Sequence, residues 1–135
     1  MHTQMKRPRV FCCLDEEGET CNRLTEALNT CGATYCYVIS ARNVSSVLWW
    51  ARSERFDLYI LGRSFADGAG LELCRKLREF DSHTPVIFYA GDADDPERRL
   101  EGLAAGAQAY LVKPDVEELA ATVLRLLDDK RRVAA

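Results

Sequence analysis

Short apolar runs alternate with helix-patterned segments along this chain of 135 residues, and that alternation restricts the possible folds more than any other feature. The runs are continuous rather than alternating in polarity, which is typical of strands buried on both faces. We predict strands at 10–14, 34–40, 57–61, 85–90 and 109–112.

Between the runs, apolar residues recur at the spacing of one face of a helix. The predicted inner faces are Leu24, Ala27, Leu28 and Cys31; Val44, Val47, Leu48 and Ala51; Leu73, Cys74, Leu77 and Phe80; Leu100, Leu103 and Ala104; and Val116, Leu119, Ala120, Val123 and Leu127. Asp95, Pro96 and Glu97 have the residue types of an N-cap and a first turn. The segment DGAG at 67–70 predicts a turn.

Strands that alternate with helices pair in parallel through right-handed crossovers, and the helices cover both faces of the sheet. The sequence therefore predicts an α/β fold with a doubly wound, five-stranded parallel sheet. We expect one domain over 1–135, with a core at about 8–127 and loose ends.

Charge and hydropathy exclude several classes of protein. Lys plus Arg is 18 and Asp plus Glu is 21, and the net charge of −3 argues against non-specific nucleic-acid binding. No apolar run approaches the roughly 18 residues that a membrane span needs. The polar start at 1–7 lacks a signal-peptide pattern, so we expect a cytoplasmic protein.

The six cysteines form no C-x-x-C pair, and His2 and His83 offer no metal-ligand spacing. The cysteines fall in predicted strands or on apolar helix stripes, which favours buried, reduced thiols over a disulfide framework or a zinc site. The six cysteines are Cys12, Cys13, Cys21, Cys31, Cys36 and Cys74.

In such folds, chemistry occurs at the carboxyl ends of the strands. Asp15 and Glu16 follow the first predicted strand, Gly62 the third, Ala90 ends the fourth, and Lys113 follows the fifth. A carboxylate pair opposite a lysine suggests a magnesium-dependent phosphoryl site, because Mg²⁺ takes oxygen ligands and lysine supplies a compact positive charge.

Three sequence stretches carry a family resemblance. They are FDLYIL at 56–61 with DGAGLEL at 67–73, TPVIFY at 84–89, and GLAAGAQAYLVKP at 102–114. In this order and spacing, the chain resembles the receiver domain of bacterial two-component response regulators over nearly its whole length. The resemblance implies a flavodoxin-like (βα)5 fold.

The resemblance also implies roles for five residues. Asp15 and Glu16 match the acidic pair that holds magnesium, and Tyr110 matches an aromatic switch. Lys113 and Pro114 match a lysine followed by a cis-proline. The role of the two acids stays open, since they form either a weak magnesium site or a solvated cap of the next helix. Separately, we expect Lys113 to pair with Asp15 or Glu16.

Two positions depart from the family pattern. Gly62 stands where the family has the aspartate that takes phosphate from a histidine kinase, and Ala90 stands where it has a serine or threonine. Glycine has no oxygen nucleophile. Asp57 is predicted at the other end of its strand, about 17 Å away, and Ser64 lacks the acidity of a carboxyl group. We therefore expect a pseudo-receiver, not an enzyme.

The leading hypothesis is a signalling module that acts by protein contact without phosphorylation. Its partner would be a histidine kinase, another receiver, or a second copy bound through the last helix and strand. The alternatives are a phosphoryl acceptor with a non-standard residue and a small-ligand sensor that uses the vacated pocket.

Trp49 is predicted to point away from the core, and Trp50 is predicted to lie on the flank of the apolar face of its helix. The two residues either belong to an interface or lie flat over the helix and cover its neighbours. Asp92, Asp94 and Asp95 indicate a capping loop rather than a calcium loop.

Overall fold

Strands and helices alternate in the computed structural model, which describes residues 8–14, 19–31, 36–65, 67–91 and 95–134. The strands are β1 (Arg9–Cys13), β2 (Tyr37–Ala41), β3 (Leu58–Leu61), β4 (Ser64–Phe65), β5 (Gly68–Ala69), β6 (Val86–Ala90) and β7 (Ala109–Val112). The helices are α1 (Glu19–Cys31), α2 (Val44–Ser53), α3 (Gly70–Phe80), α4 (Pro96–Ala104) and α5 (Val116–Ala134).

The main sheet has the order β2-β1-β3-β6-β7, and each neighbouring pair is parallel. Phe11 of β1 lies opposite Ile39 of β2 on one side and Tyr59 of β3 on the other. The chain moves outward from β1 first to one edge and then to the other. The predicted doubly wound, five-stranded parallel sheet is confirmed.

Alternate side chains of the sheet enter two separate core layers. Phe11, Tyr59 and Phe88 pack in the layer that contains the buried residues of α2 and α3. Ile60 and Tyr89 pack in the layer under α1 and α5. Because β3 is buried throughout, its continuous apolar sequence is explained by its position between the two layers.

The predicted inner faces of α1, α2 and α5 agree with the burial of their described side chains. Two other predictions are wrong. Phe80, assigned to the inner face of α3, is 44% exposed, and on α4 Leu100 and Leu103 are 67% and 45% exposed. Ala104 is exposed as well.

The orientation of α4 has a steric cause. Its single buried residue within Pro96–Ala104 is Gly102, where an added Cβ would lie 2.5 Å from the ring of Tyr110. The helix therefore approaches β7 through its glycine, and the two leucines turn outward. The predicted N-cap is confirmed, because the carboxylate of Asp95 accepts a hydrogen bond from the Glu97 amide at 3.0 Å.

The second predicted strand begins later than expected, since β2 starts at Tyr37 and Cys36 precedes it. The turn predicted at 67–70 is part of a small antiparallel ribbon, β4–β5, which the sequence did not indicate. The described free thiols are all buried: Cys12, Cys13, Cys21, Cys36 and Cys74. In the ranges that the structure describes, no helix combines the length and the apolar character of a membrane span.

Candidate functional site

The carboxyl ends of β3, β6 and β7 surround a pocket of about 380 Å³. Gly62, Ala90 and Lys113, which were predicted to lie together, all line it. The remaining lining residues are Arg63, Ser64, Tyr89 and Gly91. Except for Tyr89, which lies one residue before the end of β6, each follows or ends one of these strands, so the parallel pairing of the sheet brings them to one edge.

Gly62 is a buried residue of the pocket lining, and its amide donates a hydrogen bond to the carbonyl of Cys13 at 2.8 Å. The following loop folds back over it through β4 and β5. The loop returns to Gly62 at Gly70. A glycine is needed there, because a side chain would overlap the carbonyl oxygen of Gly62. The sequence identified this glycine as part of a turn but not the close approach that requires it.

Ala90 and Lys113 are joined through the backbone. The amide of Lys113 donates to the carbonyl of Ala90 at 3.1 Å, and the Lys113–Pro114 peptide bond is cis, as the resemblance implied. Ala90 is 5% exposed and carries no hydroxyl group. The pocket wall is therefore apolar where the family pattern has a hydroxyl side chain.

Tyr110 lies inside the protein rather than in solvent. It is 4% exposed and stacks on Phe88, with ring centroids 5.3 Å apart and an angle of 26° between the planes. Phe88 is also its direct partner in the β6–β7 register, two residues before Ala90.

A model of the response regulator receiver domain matches residues 11–124. The chain belongs to this family. The response regulator ArlR of Staphylococcus epidermidis is 38% identical over 99 residues, which cover 70% of this chain and 44% of that protein. The chain spans less than half the length of the curated relatives ArlR of S. epidermidis and of S. aureus.

Solved structures agree with this receiver fold. The non-phosphorylated HemR receiver domain from Leptospira biflexa is 27% identical with a TM-score of 0.76, and the match covers 90% of this chain and 94% of that one. A CheY-like receiver domain from Methanospirillum hungatei shares the fold, with a TM-score of 0.81 at 23% identity, covering 94% of this chain and 98% of that one.

The magnesium prediction rests on Asp15 and Glu16, which lie outside the described residues, as do Asp92 and Asp94. Within the described ranges, no three His, Cys, Asp or Glu side chains are grouped so that they could hold a metal ion. The described pocket lining contains no carboxylate, the ligand that Mg²⁺ prefers. The magnesium site and the pairing of Lys113 with an acid therefore stay predictions.

Two further aspartates, Asp57 and Asp67, accept hydrogen bonds from backbone amides. The carboxylate of Asp57, at the amino end of β3, accepts a hydrogen bond from the Arg9 amide at 2.8 Å. Asp67, in the loop after β3, accepts hydrogen bonds from the amides of Val44 and Ser45 at 2.8 and 3.1 Å. These bonds, that from Val44 above all, hold the pKa of Asp67 below its ordinary value. Asp67 thus ties the loop beside the pocket to the start of α2.

Proposed function

We propose that this receiver domain does not accept a phosphoryl group and that it signals by binding a partner protein. A histidine kinase, another receiver or a second copy are the candidate partners, and the domain is not an enzyme. The observation that carries the proposal is Gly62 at the carboxyl end of β3, in one pocket with Ala90 and Lys113.

The chemistry of the pocket supports this proposal. An aspartyl phosphate forms when a carboxylate oxygen attacks phosphorus, and the described lining of the pocket contains no carboxylate. Ala90 has no hydroxyl group that could bind the transferred group. The cation Lys113 remains, but a positive charge without a nucleophile binds an anion and does not form a bond to it.

The positions of possible substitute acceptors support it as well. Asp57 lies before β3, at the edge of the sheet opposite the pocket, and its carboxylate bonds to the Arg9 amide. Ser64 lines the pocket and is exposed, but its hydroxyl group is a much weaker nucleophile than a carboxylate near neutral pH.

Intact-mass measurement after incubation with Mg²⁺ and acetyl phosphate tests the proposal. We expect no phosphoryl adduct on the native chain and an adduct on a Gly62→Asp variant. Gly62 is not among the glycines with positive φ, so aspartate can adopt the backbone conformation of this residue. An adduct on the native chain would overturn the proposal, and peptide mapping would then identify a non-standard acceptor.

A second candidate function is a small-ligand sensor at the same pocket. Its volume of about 380 Å³ and the presence of Arg63 and Lys113 in its wall favour this candidate. Thermal-shift measurements with nucleotides and divalent metals test it. A rise in melting temperature that Lys113→Gln abolishes would support a sensor, and the absence of any shift would exclude these ligands.

A homodimer through α5, β7 and the neighbouring α4 is the proposed form of self-association. The exposed Leu100 and Leu103 of α4 supply apolar area beside β7. Light scattering tests this surface: a dimer that Leu100→Ser with Leu103→Ser converts to monomer supports it. A native monomer at high concentration contradicts it.

A further inference from the structure

β2 is the terminal strand on one side of the main sheet. In the order β2-β1-β3-β6-β7 its neighbour is β1, and none of the described residues forms a strand on its other side, which we call the outer side of β2. Tyr37 and Ser40 of β2 are exposed, whereas β7, the terminal strand on the opposite side, contains no exposed residue. Of the two terminal strands, β2 is therefore the more accessible.

The backbone direction of β2 follows from one hydrogen bond. The amide of Tyr37 donates to the carbonyl of Pro8 at 2.8 Å, so the backbone of Tyr37 faces β1. Because successive residues of a strand direct their backbone groups to opposite sides, Ile39 also faces β1, while Val38 and Ser40 direct their amides and carbonyls to the outer side. These outer groups can bond to another strand without the loss of any bond to β1.

The sequence of β2 contains none of the usual protections of a terminal strand. Natural proteins protect such strands with charged residues, proline or a bulge. β2 has the sequence YVISA, and its residues pair one to one with Arg9–Cys13, without a bulge. Valine, isoleucine and tyrosine also favour extended pairing. The outer side of β2 is therefore suited to pairing with a further strand.

The groups on the outer side are complementary to themselves. In an antiparallel pair of two β2 strands centred on Ile39, Val38 of each copy lies opposite Ser40 of the other, and such residues exchange two hydrogen bonds. Tyr37, which is 52% exposed, lies opposite Ala41 in this register, so a large side chain meets a small one. β2 contains no charged residue, so no like charges face each other.

We propose that two copies of this domain associate through the outer sides of their β2 strands, in antiparallel register centred on Ile39. The two sheets then join into one, and the pairing has the two-fold symmetry of most homodimers. Any extended strand can meet the outer amides, but the match of Tyr37 with Ala41 favours a second copy. Since one strand of each copy takes part, the interface is small and the association weak.

The proposal rests on the proposed function in one respect, that a second copy is among the candidate partners. Its surface differs from the one at Leu100 and Leu103, which lies beside β7 on the opposite side of the sheet. The double variant Leu100→Ser with Leu103→Ser is therefore the background in which pairing through β2 is measured. Phosphoryl transfer at Gly62 plays no part in this measurement.

Nuclear magnetic resonance of this background variant at increasing protein concentration tests the pairing. We expect the outer amides of Val38 and Ser40 to exchange with solvent more slowly as concentration rises. The amide of Ile39 faces β1 and is the internal control, which should exchange slowly throughout. In a mixture of ¹³C-labelled and unlabelled copies, we expect an intermolecular nuclear Overhauser effect between the Hα atoms of Ile39, which meet at the two-fold axis.

Variants at Ser40 separate the backbone from the side chain. Ser40→Pro removes an outer amide and leaves every bond to β1, so it should weaken association at least about tenfold. Ser40→Ala keeps the amide, is the matched control and should associate like the background. Ser40→Lys leaves the backbone unchanged and should also weaken association, because charge protects a terminal strand. Circular dichroism verifies that each variant is folded.

Three results would overturn the pairing proposal: equally fast exchange of both outer amides at all concentrations, self-association that Ser40→Pro leaves unchanged, and an intermolecular contact centred on another element. Slower exchange only after addition of the peptide acetyl-Thr-Val-Thr-Val-Thr-amide would also overturn it, because the occupant would then be a foreign strand. A phosphoryl adduct on the native chain would refute the proposed function and leave the result on β2 to stand by itself.

Discussion

At the scale of single residues, Gly102 determines where Tyr110 lies. An added Cβ at Gly102 would be 2.5 and 2.9 Å from two ring carbons of Tyr110 and 3.2 Å from a ring carbon of Phe88. The missing side chain lets α4 and β7 approach with two aromatic rings between them. The inward position of Tyr110 therefore follows from packing and needs no hydroxyl group at Ala90.

We predict that Gly102→Ala lowers the free energy of unfolding by about 1 kcal/mol. Overpacking costs about 1–3 kcal/mol, and the better helix propensity of alanine returns about 1 kcal/mol. Urea denaturation measures the change, and near-ultraviolet circular dichroism follows Tyr110. Gly91→Ala is the control, because a Cβ there meets no atom within 4 Å. Equal stability of the two variants would contradict this packing argument.

At the scale of elements, the loop after β3 and the start of α2 act as one unit. Asn43 is the N-cap of α2 and accepts a hydrogen bond from the Ser46 amide at 2.8 Å. Asp67 adds bonds to Val44 and Ser45, and the hydroxyl group of Ser45 also donates to it at 3.0 Å. Two side chains, distant in sequence, satisfy the free amides of the first turn.

These bonds predict a pH dependence of stability. Because the pKa of Asp67 is lower in the folded state than its ordinary value of 3.8, the folded protein binds the proton less readily than the unfolded chain does. The stabilisation is present above that value and is lost as pH falls through the lower, folded pKa.

An Asp67→Asn variant should therefore lose less stability than the native protein between about pH 5 and pH 2. Chemical denaturation at several pH values gives the slope of the free energy of unfolding against pH, in which the two proteins should differ. Glu72→Gln, which changes an exposed acid on α3, is the control and should leave the slope unchanged. A native slope in Asp67→Asn would contradict the capping argument.

At the scale of the whole molecule, the sheet separates two core layers and two edges. The pocket at Gly62 lies at the carboxyl ends of the strands, and a second groove, lined by Phe56 and Phe80, lies at their amino ends. Thiols are buried in both layers, Cys13 and Cys74 in one and Cys12 and Cys21 in the other. Burial raises the pKa of Cys13 and, despite the opposing charges of Arg78 and Arg75, that of Cys74.

Alkylation of these thiols should therefore report opening of the whole fold. We predict that Cys13 and Cys74 resist iodoacetamide in the native protein, because the thiolate is the reactive form and burial disfavours it. Both should react fully in denaturant. Peptide mapping by mass spectrometry resolves each cysteine. The carbonyl oxygen of Ala105 accepts a hydrogen bond from the Cys74 thiol and lies 3.4 Å from Sγ. Rapid modification of Cys74 in the folded protein would therefore show local opening near Ala105.

The candidate site was only partly predictable. Gly62, Ala90 and Lys113 were placed together correctly because parallel strands bring their carboxyl ends to one edge. The fold-back of Gly70 onto Gly62 was not predictable, because it depends on the distance between two backbones. The exposure of Phe80 was not predicted, because this residue fits the apolar stripe of α3 yet is 44% exposed at the last residue of the helix.

The sequence by itself determined the order of strands and helices, the parallel sheet and the absence of a carboxyl side chain at Gly62. These depend on local periodicity and residue identity, which each segment carries alone. The tertiary structure decided that Tyr110 lies inward, that Leu100 and Leu103 face out, and that Asp67 caps α2. Each of these depends on how closely two separate elements approach, and the pattern within one element carries no information about that distance.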